Sequence, residues 1–139
     1  MSAGMLSLVV FSGQFDRVHY ALAMAAAAAA LGRPASLLVT GGAVRAFAAD
    51  IDGEAGWRAL RAADGRTAGL ADADYRSHGV AGFEELLSAC TELKVRLIAC
   101  EMALRIAGLD QAALRADLAI EQAGLATFLA DASGGITFI

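Results

Sequence analysis

Apolar residues along this chain fall into two spacings. Three short runs, "LSLVVF" (Leu6 to Phe11), "SLLVT" (Ser36 to Thr40) and Val95 to Ala99, are apolar without alternation and rich in branched side chains. That pattern predicts strands buried on both faces. Between them lie stretches with helical spacing. Phe83, Leu86, Leu87 and Cys90 in "AGFEELLSACTELK" fall at i, i+3, i+4 and i+7, one face of a helix. The alanine-rich segment after "SGQFD" predicts a helix that stops at Gly32, with Pro34 just beyond. Further short helices are expected near Ala43–Ala48, over Glu101–Ala107 up to Gly108, near Gln111–Ala116 and over Leu125–Ala132. Additional strands are expected near Leu118–Glu121 and in the closing "GGITFI". Strands that alternate with helices in this way predict parallel βαβ units. The expected fold is an α/β, three-layer α/β/α sandwich with a mostly parallel sheet of about five strands.

One region breaks the alternation. From Asp50 to Gly79 no periodicity stands out, apart from a helical turn expected at Trp57–Ala62. It reads as an insertion within a single domain spanning residues 1–139. It leaves from the carboxyl ends of the strands, where it would act as a lid, with Trp57 or Tyr75 closing on a ligand.

Composition narrows the function classes. The hydrophobic fraction is 58% and the charged fraction 19%, which excludes a disordered chain. The net charge is −4 and basic residues are scattered, so no nucleic-acid surface is expected. The apolar run Tyr20 to Leu31 is about a dozen residues, short of the ~20 that a bilayer requires, and predicts no membrane span. It also has no polar side chain to mark a solvent face, which predicts a helix covered by another subunit of a homo-oligomer. The N-terminus lacks a signal-peptide pattern, and the two cysteines read as free thiols of a cytoplasmic protein.

Open parallel sheets bind ligands beyond the carboxyl ends of their strands. Three junctions belong to that edge: "FSGQFD", "VTGGA" and "IACEM". The first two offer Ser12, Gly13, Thr40 and Gly41 as pocket residues, although neither matches a dinucleotide fingerprint or a P-loop. The third places Cys100 where a strand becomes a helix, a position that favours a thiolate, with Glu101 opposing it. His78, in the insertion, would supply a base if it folded over Cys100. Cys90 shares the apolar stripe of its helix and reads as core. The two thiols are expected ~15 Å or more apart, too far for a disulfide. "DADYRSH" has neither EF-hand spacing nor a Cys/His ligand set, so no metal site is expected, and no cofactor.

The segments "LVVFSGQFDRVHYALAMAAAAAALG", "SLLVTGGAVRAF", "GFEELLSACTEL" and "LIACEMALRIAGL", with the terminal "ITFI", resemble the DsrE/DsrF-like family. The likeness spans most of the chain outside the insertion and lies nearest the branch labelled predicted peroxiredoxin or DsrE-like. It implies the same sandwich fold, with Cys100 at the position of that branch's thiol. Sulfur-relay relatives carry a persulfide on a cysteine and pass it on within trimeric or hexameric assemblies. The resemblance therefore implies a thiol-dependent sulfur carrier or sulfurtransferase-like protein, a sulfur donor or acceptor protein as partner, and a trimer or hexamer. The alternative is a non-catalytic subunit that binds a small molecule or partner in the same pocket.

Overall fold

The computed structural model describes residues 4–139. Five strands form one sheet: β1 (Leu6–Val10), β2 (Ala35–Val39), β3 (Arg96–Cys100), β4 (Ile120–Ala123) and β5 (Ile136–Phe138). Their spatial order is β4-β3-β2-β1-β5, and every pairing is parallel. The register aligns Leu8, Leu37, Leu97 and Ile120 in one row, and Val9, Leu38, Ile98 and Glu121 in the next. Neighbouring rows point to opposite faces. On β1, β2 and β3 both rows are buried, as a sheet covered on two sides requires. The expected three-layer α/β sandwich is the fold that forms.

Five α-helices accompany the sheet: α1 (Phe15–Ala30), α2 (Ala68–Ser77), α3 (Phe83–Glu92), α4 (Glu101–Ala107) and α5 (Leu125–Asp131). Short 3-10 segments lie at Gly41–Phe47, Gly56–Ala59 and Gln111–Ala113. The alanines of α1 serve close packing: Ala21, Ala25 and Ala28 are buried beside Val18 and Leu22, and α1 lies against α3. Cys90 on α3 reaches the Leu22 carbonyl of α1, with its Sγ 3.5 Å away.

The segment 50–79 differs from the lid expected of it. It carries α2 as well as a 3-10 turn, and its tryptophan is core. Trp57 is 1% exposed, stacked on Phe83 at 4.9 Å between centroids and tilted against Phe15 at 5.6 Å. Its indole Nε1 donates to Glu84 Oε2 at 2.6 Å. A ring packed against Phe83 and Phe15, with the Arg58 guanidinium 4.5 Å from its centroid and its N–H bonded, is not free to close on a ligand. Arg115 also grips Glu84, through two bonds of 2.7 and 2.8 Å. The Arg115 guanidinium, assisted by the Trp57 N–H, holds the Glu84 carboxyl below the ordinary carboxylate range against the opposing effect of burial.

Helix α2 also begins α3. The N-cap of α3 is Gly82, which has no side chain to accept from the helix's free N–H groups. Asp72 of α2 substitutes for it: the buried carboxylate accepts from the Phe83 N–H at 2.7 Å and meets Arg76 at 3.2 Å. A Cβ at Gly82 would stand 3.1 Å from that carboxylate and 2.9 Å from the Arg76 side chain, so glycine makes room for the acid.

Candidate functional site

The carboxyl edge is built by three junctions. After β1 and β2 the chain turns on glycines. Gly41 has φ +52°, and a Cβ there would lie 2.6 Å from the Phe11 carbonyl oxygen. Gly13 and Gly42 press backbone to backbone, so a Cβ on Gly13 would stand 3.1 Å from Gly42. After β3 there is no loop: Cys100 is at once the last strand residue and the N-cap of α4.

Two cavities flank α4. The first, about 380 Å³, is lined by Cys100, Glu101, Met102, Arg105, Ile106 and Leu125. Gly124, just past the end of β4, adds to its wall. Its rim is apolar, because Met102, Ile106 and Leu125 are all exposed. Glu101 and Arg105, one turn apart on α4, contribute one charge of each sign. Cys100 itself is 2% exposed and forms no disulfide. The second cavity, about 320 Å³, lies on the other flank between the β1 and β2 loops. Gly13, Gly41, Gly42, Arg45, Arg61 and Ile106 are among its lining.

The expected site residues thus separate. Cys100 and Glu101 line one cavity, and Gly13 and Gly41 the other. The Ser12 hydroxyl accepts from the Gln14 N–H at 3.1 Å and so shapes the turn into α1. Thr40 donates its N–H to the Val10 carbonyl at 2.9 Å, and its side chain makes no capping bond. His78 is exposed at the C-terminal end of α2, with its Nδ1 2.9 Å from the Asp74 carbonyl oxygen. It does not line the cavity of Cys100, since the length of α2 and its packing fix it elsewhere. His19 is buried and donates from Nε2 to the Ala81 carbonyl at 2.8 Å, a structural bond.

The two thiols occupy different environments. Cys90 lies inside the core, and burial pushes its thiol up to about 11. Cys100 is buried in the core as well, and it also lines the cavity beside α4. Sequence reasoning passed over Met102, Arg105 and Ile106 on α4. The available signal was "CEMALRIAG", where Met102 and Ile106 stand one turn apart in a helix whose buried residues are Ala103 and Leu104.

Among the described residues no group of three or more His, Cys, Asp or Glu side chains is arranged to hold a metal ion. None of their helices is long and apolar enough to cross a membrane.

An all-parallel five-stranded sheet with a cysteine at a strand-to-helix junction of its carboxyl edge defines a small thiol-bearing α/β protein. The chain matches the DsrE/DsrF/DrsH-like family over residues 59–137 and belongs to that family. Among solved structures, the protein of unknown function MTH1491 from Methanobacterium thermoautotrophicum superposes with a TM-score of 0.61 at 14% identity. The alignment covers 99% of this chain and 98% of that one. The ychN protein from E. coli gives a TM-score of 0.56 at 14% identity, over 97% of this chain and 99% of the other. Both share the fold. No curated protein matches the chain in sequence.

Proposed function

We propose that this protein is a thiol-dependent sulfur carrier in which Cys100 accepts sulfane sulfur as a persulfide and hands it to a partner. The observation that carries the reading is the placement of Cys100, buried like Cys90, at the carboxyl edge where it also forms part of a cavity wall. Membership of a family with sulfur-relay relatives supports it. In the uptake step the Cys100 thiolate attacks the terminal sulfur of a donor persulfide. The Sγ–S bond forms, the donor's S–S bond breaks, and the donor leaves as a thiolate. One sulfur moves and no external oxidant is consumed. The apolar rim of Met102, Ile106 and Leu125 suits docking of a protein donor or acceptor over the cavity.

The second reading, a binding subunit in which Cys100 only lines the pocket, is favoured by the low exposure of that residue. Alkylation of the native protein separates the two. Under the carrier reading a small alkylating agent modifies Cys100 well before Cys90, whose desolvated thiol resists ionisation. Peptide mapping at successive times reads the order. If Cys100 stays inert until the protein unfolds, the carrier reading is lost.

The same proposal includes a homo-oligomer. On α1 Tyr20 is 64% exposed, Leu31 just past the end of the helix is 87% exposed, and α4 leaves Ile106 82% exposed. Apolar groups on two helix surfaces are better covered by other copies than by water. Light scattering at micromolar concentration is expected to give a multiple of the 14.2 kDa chain, and a clean monomer would remove this part of the proposal.

A further inference from the structure

We propose that the cavity between the β1 and β2 loops is an anion site, in which Arg45 and Arg61 hold a small oxyanion of the phosphate class. The charge distribution makes this cavity unusual for the chain. Acidic residues outnumber basic ones, 15 to 11. Arg66, Arg76, Arg96 and Arg115 are each paired with carboxylates. Arg45 and Arg61 make no such pair among the described residues, and both line this one cavity, to whose wall no Asp or Glu contributes. Two cationic residues lining a shared space without a countercharge raise its potential, and an anion relieves it. Guanidinium forks also match the oxygens of phosphate or carboxylate, with two bonds apiece.

The site is built, not incidental. Arg61 is anchored through its backbone, whose carbonyl accepts from the Phe15 N–H at 2.8 Å, and it bridges both Gln14 and Thr67. Its guanidinium spends one bond on the Gly65 carbonyl at 3.0 Å and keeps its other donors. Arg45 belongs to the 3-10 segment that follows β2. Gly56 packs so closely on the Arg45 carbonyl that any side chain there would collide with it. The wall carrying Arg61 is thereby held against the wall carrying Arg45. Gly13, Gly41 and Gly42 leave part of the wall without side chains, so that a ligand meets backbone there. The N–H of Gly13 donates to no protein acceptor among the described residues. Parallel sheets bind ligands at this same edge. The inference does not depend on the thiol chemistry, since Cys100 lines the cavity on the opposite flank of α4.

Calorimetric titration of the full chain with inorganic phosphate, at fixed ionic strength set by chloride, tests it. The expected result is saturable binding at one site in the millimolar range or tighter. R45Q and R61Q should each weaken it by about tenfold or more. Acetate in place of phosphate should bind more weakly, which distinguishes a phosphate-type ligand from a carboxylate. R33Q is the control, because Arg33 donates to the Gly4 carbonyl near the start of β2, at the other edge of the sheet. It should bind phosphate as the unaltered chain does. C100S should also bind normally, which keeps this result separate from the fate of the sulfur-carrier reading. Absence of saturable heat with the unaltered chain overturns the proposal. So does an equal loss in R33Q, R45Q and R61Q, which would mean diffuse attraction instead of a site.

Discussion

Cys100→Ser is expected to abolish uptake of sulfane sulfur completely while the fold persists. The measurement is whole-protein mass spectrometry after incubation with a low-molecular-weight persulfide, scored by the gain of one sulfur atom. The unaltered chain should gain it, and the modified peptide should contain Cys100. Serine keeps the size of the side chain at a cavity wall, so the thermal transition should move little, by the equivalent of about 1 kcal/mol. Cys100→Ala removes the sulfur without adding a buried hydroxyl and should behave alike. Cys90→Ala should still take up sulfur, although it loses packing in the core. Uptake that survives in Cys100→Ser, or that maps to Cys90, would sink the carrier reading.

The largest expected effect on stability belongs to Trp57. Truncation to alanine should cost about 3–5 kcal/mol, the range for a large aromatic removed from a packed core. A domain of this kind is typically stable by about 5–15 kcal/mol, so the variant should be only marginally folded or unfolded at room temperature. Trp57→Phe preserves most of the packing on Phe83 and Phe15 and deletes the N–H that Glu84 accepts. It should cost far less, because Arg115 still satisfies that carboxylate. Urea denaturation of the three proteins reads the order. Were Trp57 a lid residue, the alanine variant would keep its midpoint, and that outcome would contradict the aromatic core described above. The Glu84 contribution also has a pH signature. Its folded carboxyl titrates below the ordinary range, so the stability it adds is present above the unfolded value and is lost as pH falls through the folded one.

Much of this architecture was legible in the order of residues. β1, β2 and β3 announce themselves because strands buried on both faces are apolar throughout, and "LSLVVF", "SLLVT" and the run Val95 to Ala99 place each within a residue or so. α2 did not announce itself. Its buried positions are Ala68, Ala71 and Asp72, a face too small and too polar to register as amphipathic. Its real signals were Thr67, whose hydroxyl accepts from the Leu70 N–H, and Gly79 just past its end with φ +77°. Asp72 was invisible for a related reason: an acid in a polar stretch reads as surface, yet here it caps another helix from within. At the site, the place of Cys100 followed from the strand-to-helix switch. The cavity of Arg45 and Arg61 did not, because separate elements carry the two arginines and only the glycine contacts of the fold bring their walls together.

The two margins of the sheet bear on how copies of this chain can meet. β5 is three residues long and β4 four. Along β4 the side chain of Glu121 is clamped by Arg96, which also holds Asp131. A foreign strand arriving at either margin would find a ladder of a few bonds, and at one of them a cluster of charge. Short, charged margins resist extension by strand addition. Fibrous growth, in which sheet joins sheet without limit, is therefore disfavoured for the native protein. Association is left to the helix surfaces, where contacts between copies can close on themselves and stop.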